Sequence, residues 1–290
     1  MGNEMILDRR LYAYRADIAD EALRGRVEAE HFVAGEPARV GVPVAALRAR
    51  PDADCGIDTE LLLGEAVRVF DRRDGWAWVQ SREDGYVGYL RDEWLAEPEE
   101  PTHIVCVQRT FLYPGPELRR PPVSALSMGS RVRVVGAAET RGTAYSVLAD
   151  GTALIASHAR PLSGQAAQDY VEVAARFLET PYLWGGRSGF GIDCSALVQL
   201  SLMMAGQSAP RDSDMQAGMG TAITREELRR GDLVFWKGHV GIMEDGVTLL
   251  HANGHTMTVA RENLDAAIER IGWLYDRPTG FRRLPDFTQT

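Results

Sequence analysis

The feature that most limits what this chain can fold into is an internal echo at a nearly constant spacing. Gly64-Glu65-Ala66-Val67-Arg68-Val69-Phe70 returns as Gly129-Ser130-Arg131-Val132-Arg133-Val134-Val135, 65 positions on. Gly75-Trp76-Ala77-Trp78-Val79 is echoed by Gly142-Thr143-Ala144-Tyr145-Ser146-Val147, and Asp84-Gly85 by Asp150-Gly151. From Val42 to about Pro161 the apolar runs are short, β-like and divided by turn signals, so this stretch reads as two copies of one small all-β module. Small barrels or sandwiches are the expected form. The first copy carries Glu65, Trp76, Trp78, Tyr86, Tyr89 and Trp94, whereas the second has Ser130, Thr143, Tyr145 and Thr152 and no tryptophan. If one copy contributes to a binding site, it is the first. The preceding stretch to Gly41 offers one predicted helix, around Ala16 to Arg26.

Beyond Pro161 the pattern turns α+β. Gln165 to Glu179 has helical apolar spacing, and Pro181 stops it. Gly185, Gly186, Gly189 and Gly191 then mark a turn-rich loop. Cys194 to Ala205 is apolar nearly all round, the pattern of a buried helix, and Gly206 ends it. A short helix is expected near Glu226 to Arg229. Strands are expected over Asp232 to Trp236, His239 to Met243, Val247 to Ala252 and Thr256 to Ala260. The predicted domains are 1–98 (N-terminal segment and first all-β module), 99–162 (second module) and 163–290 (α+β).

Bulk composition narrows the function class. The 290 residues are 45% hydrophobic and 25% charged, ordinary for a soluble globular chain. A net charge of -9 with scattered Lys and Arg argues against nucleic acid and anionic membranes as partners. No apolar run approaches the roughly 18 residues of a membrane span. The first residues, MGNEMILDRR, lack the apolar core of a secretory signal, which gives a cytoplasmic reading. Three cysteines, Cys55, Cys106 and Cys194, form no disulfide framework or C-x-x-C pair. Cys55 and Cys106 read as unreactive structural residues.

Cys194 is different. Asp193 is a good N-cap for the helix that follows, which puts the thiol in the first turn. Unpaired N–H groups and the positive end of the helix dipole there favour a thiolate, and the same donors can face an oxyanion beside the sulfur. His239 and His251 flank Glu244-Asp245-Gly246. A three-residue hairpin loop centred on Asp245, with left-handed Gly246, would place the two imidazoles directly opposite each other on one face. One can then act as base to Cys194 and the other orient it. Zinc is the competing use of two close histidines with a cysteine, but no second cysteine lies nearby and the first-turn position suits a nucleophile. His31, His103, His158 and His255 show no such relation. The chain is therefore read as needing no metal or cofactor.

Taken together, Pro181-Tyr182-Leu183-Trp184-Gly185-Gly186, Gly189-Phe190-Gly191-Ile192-Asp193-Cys194-Ser195, Gly231-Asp232-Leu233-Val234-Phe235, His239-Val240-Gly241-Ile242 and His251-Ala252 resemble the successive motifs of the NlpC/P60 cysteine peptidases. The upstream copies resemble bacterial SH3 domains, and the whole is similar to the γ-D-glutamyl-L-diamino acid endopeptidases. The resemblance implies a papain-like catalytic domain behind two SH3-like barrels. It also implies cleavage of the γ-D-Glu–diaminopimelate (or L-Lys) amide of murein tri- and tetrapeptides with a free N-terminal L-Ala. It assigns Tyr182 to the wall of the site, Asp193 and Ser195 to substrate contact, and Glu65 and Tyr86 to closing the pocket over the substrate amine. Ala196 departs from the glycine usual in the family at that place, which slightly narrows the space beside the nucleophile. Two other readings stay open: a hydrolase of intact peptidoglycan stem peptides, and a non-catalytic scaffold that binds peptides through its SH3-like modules. Oligomeric state is not legible in the sequence.

Overall fold

A computed structural model of the chain describes residues 7–164 and 166–285. The chain divides into two compact units, one formed by residues up to 105 with 110–162, the other by 106–109 with 163 onward.

The first unit is all-β. Its leading part has an antiparallel sheet in the order Val87–Arg91, Trp76–Ser81, Ala66–Arg73, Glu36–Val40, Leu95–Ala96, with a second ladder pairing Val44–Leu47 to Thr59–Leu62. Alternating inward residues such as Val40, Leu47, Leu61, Val67, Val79 and Leu90 form its core. Later strands include the meander Val134–Thr140, Thr143–Leu148, Ala153–Ile155. The sequence echo has a backbone counterpart. Gly64, Asp74, Gly75 and Gly85 have positive φ, and so do Gly129, Arg141, Gly142 and Gly151 at the echoed positions. The expected helix around Ala16 to Arg26 is absent: Ile18–Asp20 is a strand paired to His31–Val33, followed by a single 3-10 turn, Glu21–Leu23. Asp20 explains the difference. Its carboxylate accepts from the Ala22 N–H and pairs with Arg68, which ties the backbone into a turn, and left-handed Gly25 ends it.

The second unit is α+β. In chain order its main elements are α1 (Tyr170–Ala175), α2 (Cys194–Met204), α3 (Ser213–Gln216), β1 (Thr221–Ile223), β2 (Asp232–Trp236), β3 (His239–Met243), β4 (Thr248–Asn253), β5 (Thr258–Asn263), α4 (Leu264–Tyr275) and β6 (Gly280–Arg283). The strands form one antiparallel sheet in the order β1-β6-β2-β3-β4-β5. The helix expected from Gln165 is shorter. It starts at Tyr170, where Asp169 caps the Val171 N–H, and Gln165 lies outside the described residues. A 3-10 turn, Arg225–Glu227, stands in place of the helix expected near Glu226 to Arg229. Ten of the eleven residues of α2 are buried, so this helix threads the interior and carries its first turn into the site.

Candidate active site

Asp193 caps α2 by accepting from the Ala196 N–H at 2.8 Å, which fixes Cys194 as the first helical residue. Cys194 is 6% exposed. The Val240 and Ser195 backbone N–H groups bond toward its sulfur, so the thiol lies against the start of β3, next to His239. These donors and the Arg211 guanidinium pull the thiol pKa down, but burial and the Asp193 charge outweigh them and push it up to about 12. Helix position alone therefore does not set the acidity of Cys194, because its burial works against the donors of the helix end. Burial, followed by the nearby His251 and Arg270, lowers His239 to about 3. The resting pair is neutral.

The two histidines meet through a register different from the predicted one. Ile242 pairs with Leu250 and Met243 with Leu249, which moves the ladder two residues from the symmetric 239/251 pairing. The turn is correspondingly longer, closed by the Glu244 N–H to the Thr248 carbonyl. Asp245, rather than a left-handed Gly246, shapes it by accepting from the Val247 and Thr248 N–H groups. A shift of two keeps both side chains on one face but makes them diagonal neighbours. Gly241 stands beside them. A Cβ there would lie 2.6 Å from Leu249 Cδ1 and 3.3 Å from His251 Cβ, so a larger residue would press chiefly on Leu249 and crowd His251. His239 Nε2 and His251 Nδ1 are 2.9 Å apart, which leaves Nδ1 as the ring nitrogen of His239 not turned to His251.

Around the nucleophile, Arg211 supplies what the sequence reading missed. It is 1% exposed and clamps Asp193, with Nη1 to Oδ1 at 3.0 Å and Nη2 to Oδ2 at 2.7 Å, and it donates to Ser195 Oγ at 2.9 Å. Asp193 Oδ2 also accepts from the Gly185 N–H at 3.1 Å. The Asp193 carboxylate thus ties together the helix cap, the glycine loop and Arg211. Gln216 on α3 donates to the Ser195 carbonyl at 2.9 Å and fixes the same turn from behind. Tyr182 is half-buried, anchored by its N–H to the Met257 carbonyl and by a bridge to Ile192. A buried arginine in a chain segment without apolar periodicity gives no sequence signal; only the carboxylate opposite it reveals its place.

Glu65 and Tyr86 belong to the all-β unit. Glu65 is 1% exposed, and its Oε2 accepts from the Leu62 N–H at 3.0 Å; Tyr86 is buried in that unit's core. Among the described residues no group of three or more His, Cys, Asp or Glu side chains is arranged to hold a metal ion.

A cysteine held in the first turn of a buried helix, facing a histidine pair on an antiparallel sheet, is the equipment of a cysteine peptidase. The NlpC/P60 family pattern matches residues 179–270, and that of the bacterial dipeptidyl-peptidase Sh3 domain matches residues 47–95. The chain is 32% identical over 217 residues to the Gamma-D-glutamyl-L-lysine dipeptidyl-peptidase of Bacillus subtilis (strain 168), covering 68% of this chain and 72% of that protein. It is 24% identical to Dipeptidyl-peptidase 6 of Lysinibacillus sphaericus, over 80% of this chain and 97% of that one. The fold is similar to the crystal structure of an NlpC/P60 family protein from Bacillus cereus ATCC 10987, with a TM-score of 0.73 and 24% identity, covering 86% of this chain and 100% of that chain. The chain belongs to the NlpC/P60 family of cysteine peptidases.

Proposed function

We propose that this peptidase hydrolyses the amide between γ-D-Glu and a diamino acid (meso-diaminopimelate or L-Lys) in murein tri- and tetrapeptides whose N-terminal L-Ala is free, in cytoplasmic recycling of wall peptides. The observation that carries this reading is the presence, in one chain, of both the NlpC/P60 pattern and the bacterial dipeptidyl-peptidase Sh3 pattern. The relatives named for γ-D-glutamyl-L-lysine dipeptidyl-peptidase activity supply the bond class. Glu65 and Tyr86 belong to the copy so matched, and we assign them, with Tyr182, Asp193 and Ser195, to peptide binding. The second all-β copy is read as a diverged SH3-like domain, supported by its shared left-handed turn positions.

Cys194, His239 and His251 carry the chemistry. As Cys194 Sγ attacks the amide carbonyl, its proton passes to His239 Nδ1, and the developing imidazolium is held by His251. The negative oxygen is met by the Cys194 N–H at the start of α2, with Tyr182 beside it. The C–N bond breaks as His239 returns the proton to the leaving amine, which gives a thioester. Water, giving a proton to the same nitrogen, attacks that thioester; the carboxylic acid leaves and the thiol is restored.

The test compares L-Ala-γ-D-Glu-diaminopimelate with the same peptide acetylated on the alanine amine. The free peptide is expected to be cleaved and the acetylated one to lose at least about a hundredfold in kcat/KM, in line with leaving a site's polar partners unpaired. Equal rates would remove the free-amine requirement, and full activity of Cys194→Ala would remove the mechanism.

A further inference from the structure

The relay does not stop at His251. Its Nε2 faces Glu262 on β5, with Oε2 at 3.3 Å. Glu262 is the diagonal neighbour of His251 on the same face, because Ala260 is the residue paired opposite. The carboxylate sits somewhat off the N–H axis, a placement that a small rotation of either group turns into a hydrogen bond. Behind it Arg270 of α4 grips the same carboxylate, with Nε to Oε1 at 3.0 Å and Nη2 bonding Oε2. The His251 contact and, after it, the Arg270 cation keep the Glu262 carboxyl well below its usual range, at about 2, so it is ionised.

An ionised carboxylate can only accept. His251 must then carry its proton on Nε2, and as a neutral, buried imidazole it offers Nδ1 as an acceptor. His239 Nε2, 2.9 Å away, must be the donor, which leaves the lone pair of neutral His239 on Nδ1, the atom available to the thiol. We propose that Glu262, braced by Arg270, is a positioning residue that sets the tautomers of both histidines and so keeps the basic nitrogen of His239 aimed at Cys194. The proposal rests on the assignment of Cys194, His239 and His251 as the catalytic set. The charged or titratable groups facing His251 are His239 from β3, Glu262 from β5 and Arg270 from α4, with Cys194 on α2 beside His239. Burial lowers the His251 pKa more strongly than Glu262 raises it, so the ring is neutral and has tautomers to set. With an apolar residue at 262 both tautomers of His251 become accessible, and the wrong one turns the lone pair of His239 away from the sulfur.

The full chain would be compared as wild type, Glu262→Gln, Glu262→Leu and Cys194→Ala, by kcat and KM across pH and by 15N shifts of the imidazole nitrogens. Glu262→Leu is expected to lose about ten- to a hundredfold in kcat, within the range of general acid–base contributions, with KM changed less than about twofold. A fully wrong tautomer sets the ceiling, at a loss on the order of 10⁴-fold. Its His251 nitrogens should report a mixture of tautomers, where wild type reports one. Since the Glu262 charge raises the His239 pKa, its removal should also move the acid limb of kcat/KM to lower pH. Glu262→Gln, whose amide oxygen still accepts, should restore the single tautomer and most of kcat while keeping the shifted acid limb. A merely structural role would leave the tautomers unmoved, whereas the acid limb follows the charge alone. Unchanged nitrogen shifts in Glu262→Leu, or a kcat within twofold of wild type, would overturn the proposal. Cys194→Ala separates the two levels: activity in that variant sinks the catalytic assignment, whereas its inactivity beside a fully active Glu262→Leu sinks only the role of Glu262.

Discussion

Replacing Arg211 by Met strips a buried carboxylate of its bidentate partner at the root of the catalytic helix. Arg211 is 1% exposed and the Asp193 side chain 12%, so water cannot substitute for the lost guanidinium. Removing one member of a buried, hydrogen-bonded ion pair costs about 3–5 kcal/mol, because the other charge is left uncompensated. Spread over a unit of this size, that corresponds to a fall of roughly 10–20 °C in its unfolding temperature. The same guanidinium lowers the Cys194 thiol pKa, so its loss should also slow alkylation of Cys194. The diagnostic partner is Arg211→Met combined with Asp193→Asn. Asparagine still caps α2 and no longer needs a cation, so the double variant should be more stable than Arg211→Met alone. Thermal unfolding of the full chain, with hydrogen exchange of the α2 amides to read the α+β unit separately, measures Arg211→Met, Asp193→Asn and the double variant. A double variant as destabilised as the sum of the singles would refute the ion-pair reasoning. So would an Arg211→Met variant within about 1 kcal/mol of wild type, since that is the range of a surface pair.

Other outcomes follow from the same geometry. With the Cys194 thiol pushed up to about 12, its alkylation by iodoacetamide in the absence of substrate should rise about tenfold per pH unit between pH 7 and 9; a flat rate from pH 5 to 9 would mean a preformed thiolate–imidazolium pair instead. Gly241→Ala forces a Cβ against fully buried Leu249 and His251, so it should cost about 1–3 kcal/mol of stability and lower kcat, read by thermal unfolding and peptide hydrolysis. Glu262 has a folded-state pKa of about 2 against an ordinary 4.5, so its stabilisation is fully present above the ordinary value and is lost as pH falls from there toward 2. Acid unfolding curves of Glu262→Gln should be flatter than wild type across that window, and identical slopes would contradict the pairing.

Much of the site was legible because chemistry and periodicity coincide in a few short segments. Asp193-Cys194 before an apolar run marks a capped helix whose first residue is the thiol, and the cap is seen in the structure. The spacing of His239 and His251 around a turn is enough to put them on one face, since any register of the right parity does so. Which register forms is another matter. Asp245 binds the Val247 and Thr248 N–H groups and lengthens the turn, and the crowding of Leu249 and His251 against Gly241 belongs to the two-residue shift. The failed helix around Ala16 to Arg26 has the same origin: Asp20 bonds Ala22 locally and Arg68 from a distant strand, and that partner is invisible in the local sequence.

Residue type and short-range spacing were enough to point to a cysteine peptidase, through a candidate thiol, its helix cap and two histidines around one turn. They also made the all-β character of the upstream stretch legible, through short apolar runs divided by turn residues. Only the tertiary structure decided the charge state and the aim of those groups. Burial turns the expected thiolate into a thiol, Arg211 arrives from a loop to occupy Asp193, and Glu262 with Arg270 continues the relay behind His251. The physical reason is common to all three: desolvation and ion pairing depend on what lies within a few ångströms in space, and those neighbours come from segments far apart along the chain.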